Sequence, residues 1–411
     1  MTGVLRVRPV LVLLLVVFMG GASCRTVRPV VIREGPLVDD DMKMAWTRAA
    51  NRDNGNFSEQ LRIEAVLDDG GELSTKLTVT NIAKYDGRAE VFAKLQLTAP
   101  DSEDEDEAAD GEAESVDAPD EDAEAEDTPG AATYRVKVKK NRGEWRYGDT
   151  RFDVTVGDCT IVAGVGYAEV HVVGDGFVLD YTIESDLPAL RPAGGVINFG
   201  GAFYATTLPI PRGRLSGTLV TRGPPEEEGG EPVEESVDIE GWAYVEQRAT
   251  DLAPYRMAKK WFKMREQTLE RTVVLSAFER TDELGGGIQG WALVVDDDGL
   301  QAYESELKIT PRELTRDDKT DYGVPGLIFL EGKDGPGFRG VIKTNALTER
   351  RDDLRRLSAL ERVVVRRLMK PFTFIFDDAQ YLYKVRASPE TEEEIPWRGQ
   401  TTFEYQQLNA D

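Results

Sequence analysis

The chain is poor in the residues that carry metal and nucleophilic chemistry. Its 411 residues include one histidine, His171, and two cysteines, Cys24 and Cys159. A His/Cys metal cluster is therefore unavailable, and any triad that needs histidine has to use His171. No phosphate loop, metal-ligand spacing or nucleophile elbow occurs. No metal and no cofactor are expected. A basic excess is also missing: the net charge is −25. The sequence shows no net basic excess from which to expect a phosphate-binding face, so nucleic acid is not expected as a partner.

The negative charge is concentrated. Residues 101–127 hold sixteen Asp and Glu and no Lys or Arg, so the remaining chain carries −9, an ordinary charge for solubility. The stretch has almost no apolar residues to bury and is read as a disordered insert over 101–130 between two strands. The alternative is a tail that binds cations or a partner.

The N-terminus reads as a targeting segment. Arg6 and Arg8 precede an apolar run from Val10 to Met19, and GGAS leads to Cys24. This is a secretory signal over 1–23, too short for a comfortable membrane span. The small residues before Cys24 resemble a bacterial lipobox, with Gly21 where leucine is usual. That resemblance implies acylation of Cys24, palmitate included, and a membrane anchor. Arg25 is not the aspartate linked to inner-membrane retention, which implies an outer-membrane lipoprotein of the bacterial envelope facing the periplasm. The alternative is plain signal-peptidase cleavage and a free periplasmic protein. Residues 24–55, extended and punctuated by proline, read as a tether and entry segment. With Cys24 acylated, Cys159 in the strand-like run GDCTIVAGV reads as a small buried residue.

The body reads as strands. LRIEAVLDD, ELSTKLTVTNI and RAEVFAKLQLTAP alternate apolar and polar positions. After the insert, short strands follow one another between glycine turns, with His171 alternating with apolar neighbours in AEVHVV. Phe203, Tyr204 and the Pro209/Pro211 kinks are candidates for a barrel rim. The centre of the chain is Gly241–Met264. Trp242, Tyr244 and Glu246 share one strand face, Pro254 ends regular pairing, and Trp261, Phe262 and Met264 open the next set of strands. The expected organisation is a first β-domain over 56–256 and a second over 257–411. The alternative is one strand and a loop inside a single sandwich. One helix is expected, at about 347–369, where Leu354, Leu357, Leu360, Val364 and Leu368 recur at helical spacing and Asp352 is placed to pair with Arg356. Its many arginines give two readings, a helix lying on an anionic membrane or one packed on a barrel with its charges in water.

The order of several segments resembles the survival-factor family first known from yeast. They are TKLTVTNI, FYATTLPIPRGRLSGTL, IEGWAYVEQRATDLAPYRMAKKWFKM, RRDDLRRLSALERVVVRRLMKPFTFIF and GQTTFEYQQL. That family is similar in architecture to carotenoid 1,2-hydratases and related lipocalin-like proteins. The resemblance implies an all-β fold of two consecutive antiparallel lipocalin-like (calycin) barrels with one helix in the C-terminal region. A histidine usual in that family before the domain junction stands here as Glu246. The resemblance implies lipid-like or terpenoid ligands. The first functional expectation is an envelope protein that binds or carries a lipid or other hydrophobic small molecule. Its ligand would touch Trp242, Tyr244, Trp261 and Phe203, with Tyr204 and His171 as further contacts. The second is a hydratase or isomerase acting on a polyene or terpenoid-like substrate. That chemistry needs a buried acid, with Glu246 as first candidate and Asp149 as second. The third is a non-catalytic scaffold for a protein partner.

Overall fold

The computed structural model describes residues 30–31, 37–82, 85–98, 132–192, 195–223, 233–333, 338–355, 362, 366, 371–386 and 394–408. These form two antiparallel sheets, the first nearly closed into a barrel and the second a half-barrel, so the fold is all-β and lipocalin-like. The expected insert at 101–130 and Cys24 lie outside the described residues.

The first sheet is built from β1 (Val30–Val31), β2 (Ser58–Leu67), β3 (Glu72–Thr80), β4 (Arg88–Leu97), β5 (Ala132–Lys140), β6 (Trp145–Tyr147), β7 (Phe152–Val156), β8 (Cys159–Gly164), β9 (Tyr167–Gly174), β10 (Phe177–Glu184), β11 (Val196–Phe199), β12 (Ala202–Gly223) and β13 (Val233–Thr250). The second is built from β14 (Ala258–Gln267), β15 (Arg271–Arg280), β16 (Ile288–Asp296), β17 (Gly299–Glu304), β18 (Leu307–Arg316), β19 (Gly323–Gly332), β20 (Phe338–Lys343), β21 (Glu349–Asp352), β22 (Phe372–Arg386) and β23 (Glu394–Gln407). In each sheet the first long strand pairs with the last: β2 with β13, and β14 with β23. Between β13 and β14, Pro254 opens a one-turn helix, Pro254–Met257, where a proline costs no hydrogen bond.

Strict alternation sets the first interior. Leu61, Ile63, Ala65 and Leu67 of β2 point inward, as do Leu73 and Leu77 of β3 and Val91, Ala93 and Leu95 of β4. They join one core with Phe152, Ile161, Val172, Leu179, Ala243 and Val245, so the barrel is filled by its own side chains. Residues 37–57 cross the end where β2 starts and β13 finishes, burying Met42, Met44 and Trp46 there. Glu59, inside that end, accepts the backbone N–H groups of Ala45 (3.0 Å) and Trp46 (3.0 Å) and the side-chain amide of Gln247 (2.8 Å). Burial pushes the Glu59 carboxyl above its ordinary range in spite of these donors.

The second interior is aromatic, with Phe262, Phe338, Phe374, Phe376, Tyr381, Tyr383, Phe403 and Tyr405. Here β15 and β16 break the alternation. Val273, Leu275 and Ala277 point into the second barrel, while Val274 and Phe278 point at the first. In β16, Ala292 and Val294 point inward, and Trp291, Leu293 and Val295 meet the first barrel. Strands covered on both faces read as continuous apolar runs.

Two expectations are corrected. Residues 349–352, placed in the helix at 347–369, form β21 and pair with 372–375 of β22. The apolar repeat starts only at Leu354, and ERRD before it offers a helix no face to bury. Asp352 pairs with Arg366 and caps the Leu354 N–H (2.9 Å). Arg356, its expected helical partner, and most of 356–370 lie outside the described residues. Pro209 and Pro211 sit inside the long strand β12, where the pairing with β13 shifts register twice, between Thr207 and Ile210 and between Ile210 and Gly213. Prolines lacking an N–H are accommodated by such bulges. The second bulge turns Arg212 out of the first barrel toward the second.

Candidate functional site

The alternation of β13 decides which residues meet. Ala243 and Val245 join the first interior and Gln247 reaches Glu59, while Tyr244 belongs to the core shared by the two barrels. Trp242, Glu246 and Arg248 share the Tyr244 parity. In β14, Phe262, Met264 and Glu266 face the second interior, and Trp261, Lys263, Arg265 and Gln267 face the first barrel. Arg62 and Glu64 of β2 and Glu404 of β23 complete a layer between the barrels.

One half of the layer is aromatic. Tyr204 lies edge-on to Trp261 (6.1 Å between centroids) and Phe278 (5.4 Å), and Trp261 packs on Phe278 (4.9 Å). The buried Tyr244 ring lies under the Arg265 guanidinium at 5.1 Å. Trp242 carries Arg212 at 4.1 Å and Arg214 at 5.7 Å. Arg212, 1 % exposed, donates across the junction to the carbonyls of Thr268 (3.1 Å) and Leu269 (2.5 Å) and to Asp297 (2.9 Å).

The other half is charged. Buried Glu246 accepts from Arg248 Nε at 2.6 Å. Glu64 pairs with Arg62 and, at 3.5 Å, with Arg265. Lys263 lies 4.0 Å from Glu404 and 5.4 Å from the Trp261 ring. Burial, more than any other influence, lowers the Lys263 pKa; Arg248 and Arg62 lower it further, against the pull of Glu404. Burial also lowers that of Arg265, with Arg62 beside it. Burial resists ionisation of Glu404, but Lys263, Arg351, Arg62 and Arg265 together hold its carboxyl below the ordinary range. Burial drives the Tyr244 hydroxyl far above the ordinary phenol value, so it stays protonated.

A cleft of about 490 Å³ opens in this half. Arg62, Arg248, Lys263, Arg265 and Glu404 line it, with Ser74 and Thr402. The backbone pairing of β14 with β23 stops at Met264 and Phe403; beyond it Thr401 donates to the Arg265 carbonyl (2.6 Å) and Arg271 to the Arg398 carbonyl (2.6 Å). Glu266 lines the cleft there, held by Arg271 (2.8 and 3.2 Å) and by the Tyr381 hydroxyl.

The structure thus gathers Trp242, Tyr244, Glu246, Trp261 and Tyr204 into one layer. Phe203 lies elsewhere, in a pocket of about 290 Å³ at the end of the first barrel, with Leu37, Met44, Ala205, Thr207 and Gln247. His171 is on the outer surface, 2.5 Å from Asp180 of the neighbouring strand. Asp149 is exposed in the turn between β6 and β7. Cys159 is buried, and burial raises its thiol pKa. Lys263, Arg265, Arg62 and Glu404 went unnoticed in the sequence. Their signal was there in FKMR, LRIEA and FEYQ, where apolar and polar or charged positions alternate. A strand with one face in water shows the same pattern, so covering by a second barrel could not be read from it.

Neither a protein-family model nor a curated protein sequence matches the chain. Among solved structures it is similar to CghA bound to Sch210972 (TM-score 0.45, 9 % identity, 87 % of this chain and 89 % of that one). It is also similar to an AttH-like protein of Nitrosomonas europaea (0.45, 13 %, 91 % and 98 %). A third is kievitone hydratase from Nectria haematococca (0.44, 11 %, 92 % and 99 %). At this level the likeness concerns the course of the strands and says nothing about chemistry.

Proposed function

We propose that the chain is a cofactor-independent acid–base enzyme, a hydratase or isomerase, that works on a small molecule held between the two barrels. One observation carries this reading: Lys263, its pKa lowered, lines a cleft walled by guanidinium groups. Groups with shifted pKa values in a cleft between domains are the usual mark of a reaction site. The lowered pKa brings the Lys263 ammonium nearer to giving up its proton, and in its free-base form the amine takes a proton from carbon next to a carbonyl and becomes ammonium again. The negative charge that develops on the carbonyl oxygen faces Arg62 and Arg265, fixed cations of the kind that stabilise such charge. Return of the proton at another carbon shifts a double bond; alternatively a neighbouring hydroxyl takes the proton from the ammonium and leaves as water, which completes a dehydration, and the reverse is hydration. Glu246, first expected to be the acid, holds Arg248 and acts here as a positioning residue.

Support for the lipid-carrier expectation is weaker. Both barrels are filled by side chains. The pocket of about 290 Å³ beside Phe203 is at the small end of the usual ligand range of roughly 300–1,000 Å³ and is too small for a two-chain lipid.

The test is exchange of carbon-bound hydrogen in heavy water, followed by mass spectrometry over a panel of enones and β-hydroxy carbonyl compounds. Wild type is expected to label at least one member, and Lys263→Met to lose about two to four powers of ten of that rate. Labelling unaffected by Lys263→Met, or none across the panel, removes the reading. Placement in the bacterial envelope through an acyl anchor on Cys24 belongs to the same proposal. Incorporation of labelled palmitate in cells, lost in Cys24→Ser, is its expected outcome.

A further inference from the structure

The face of β2–β5 outside the first barrel carries the opposite sign to the molecule. Residues directly opposite each other across a sheet share a face, so the register defines rows. One row runs Arg62, Lys76, Phe92, Lys137, and the next runs Glu64, Ser74, Lys94, Arg135. Beside them Glu90 is held by Arg88 (2.8 Å), Lys139 (3.8 Å) and Lys137 (4.0 Å). With Glu72 at the rim, this face has seven cations against three carboxylates, in a chain whose net charge is −25. Its inner margin is the cleft itself: Arg62, Ser74 and Lys94 line both. These three thus join the basic rows to the cleft, where Lys263 and Arg265 stand among the carboxylates of Glu64, Glu72, Glu266 and Glu404.

A second observation comes from inside the layer. One donor on a cleft-lining residue, Arg265 Nε, finds no acceptor among the described residues. Buried donors are seldom left unpaired, and an acceptor of negative charge supplies what such donors lack.

We infer that the molecule received between the barrels is a small organic anion, steered to the cleft along the outer face of β2–β5. This rests on the cleft being the reaction site, and it narrows the substrate to one bearing an anionic group. A strip of one sign leading into a low-dielectric cleft raises the arrival rate of the opposite charge, and salt suppresses the effect. Neutral molecules gain nothing from it.

Two fluorescent probes separate the possibilities. Anilinonaphthalene sulfonate is anionic, and phenylnaphthylamine is the neutral compound with the same rings. In stopped-flow mixing, association of the sulfonate is expected to slow about fivefold from ~10 mM to ~150 mM salt, while the neutral probe changes little. The double variant Arg135→Glu, Lys137→Glu lies outside the cleft. It is expected to slow sulfonate association severalfold at low salt, with dissociation unchanged and a wild-type melting curve. Arg265→Met is expected to speed dissociation of the sulfonate. Equal salt dependence for both probes, no effect of the double variant, or no effect of Arg265→Met on dissociation overturns the inference. Probe binding needs no turnover. Steered binding without hydrogen exchange therefore leaves the anion site standing and removes only the catalytic reading.

Discussion

Glu59 shows how one side chain can fasten a segment to a barrel. It shares the parity of Leu61, Ile63 and Ala65, so the strand carries it inside, where three donors meet it. Glutamine has one acceptor oxygen where the carboxylate has two, so Glu59→Gln leaves a buried backbone N–H of residue 45 or 46 unmatched. The expected loss is about 1–3 kcal/mol by urea denaturation. The pH dependence has a definite sign. The folded-state pKa lies above the ordinary 4.5, so this group's contribution is full below that value and is lost as pH rises through the folded-state pKa. The gap between wild type and Glu59→Gln should narrow as pH increases; a gap that widens refutes this account. A carboxylate on an otherwise apolar strand face was legible in the sequence. Its partners, 13 and 14 positions away for the two N–H groups and 188 for Gln247, were not. The same holds for Lys263 and Glu404, which are neighbours only because β23 returns to pair with β14.

Among the elements, strands with one wet face were the most readable. The period-two pattern of β2, β3 and β4 gives both their type and their inner face. The runs TVVLSAF and WALVV of β15 and β16 show burial without alternation, and the cause, a barrel on each side, comes from tertiary packing. At 349–352 the expected helix fails for the complementary reason: the leucine repeat was extended backwards over ERRD, which β22 pairs into the sheet. The bulge after Pro211 presents Arg212 to the β14–β15 and β16–β17 turns. Arg212→Met keeps the bulk but strands two carbonyls and removes the cation from Trp242. Its cost is expected to be about 2–4 kcal/mol, read from the urea midpoint. A change below half a kcal/mol, the range of an ordinary surface substitution, would mean the turns dock without it.

At the scale of the molecule, the two barrels share a core. Tyr204, Leu208 and Tyr244 come from the first sheet, and Trp261, Phe278, Trp291 and Leu293 from the second. Neither half covers these residues alone. Calorimetry of the purified protein should therefore show one transition whose calorimetric and van't Hoff enthalpies agree, whereas two separated transitions would mean the junction contributes little. The second sheet does not close, and its rims are β17 and β18. On β18 the backbone carries Pro311, a left-handed turn at Glu313 (φ 52°), and the charges of Arg312 and Arg316. Such a rim cannot template another chain, because one hydrogen-bond donor is absent, the line of the strand is broken and the approach is charged. The open side of this barrel is thus bordered, along β18, by an edge ill-suited to accept a strand from another chain.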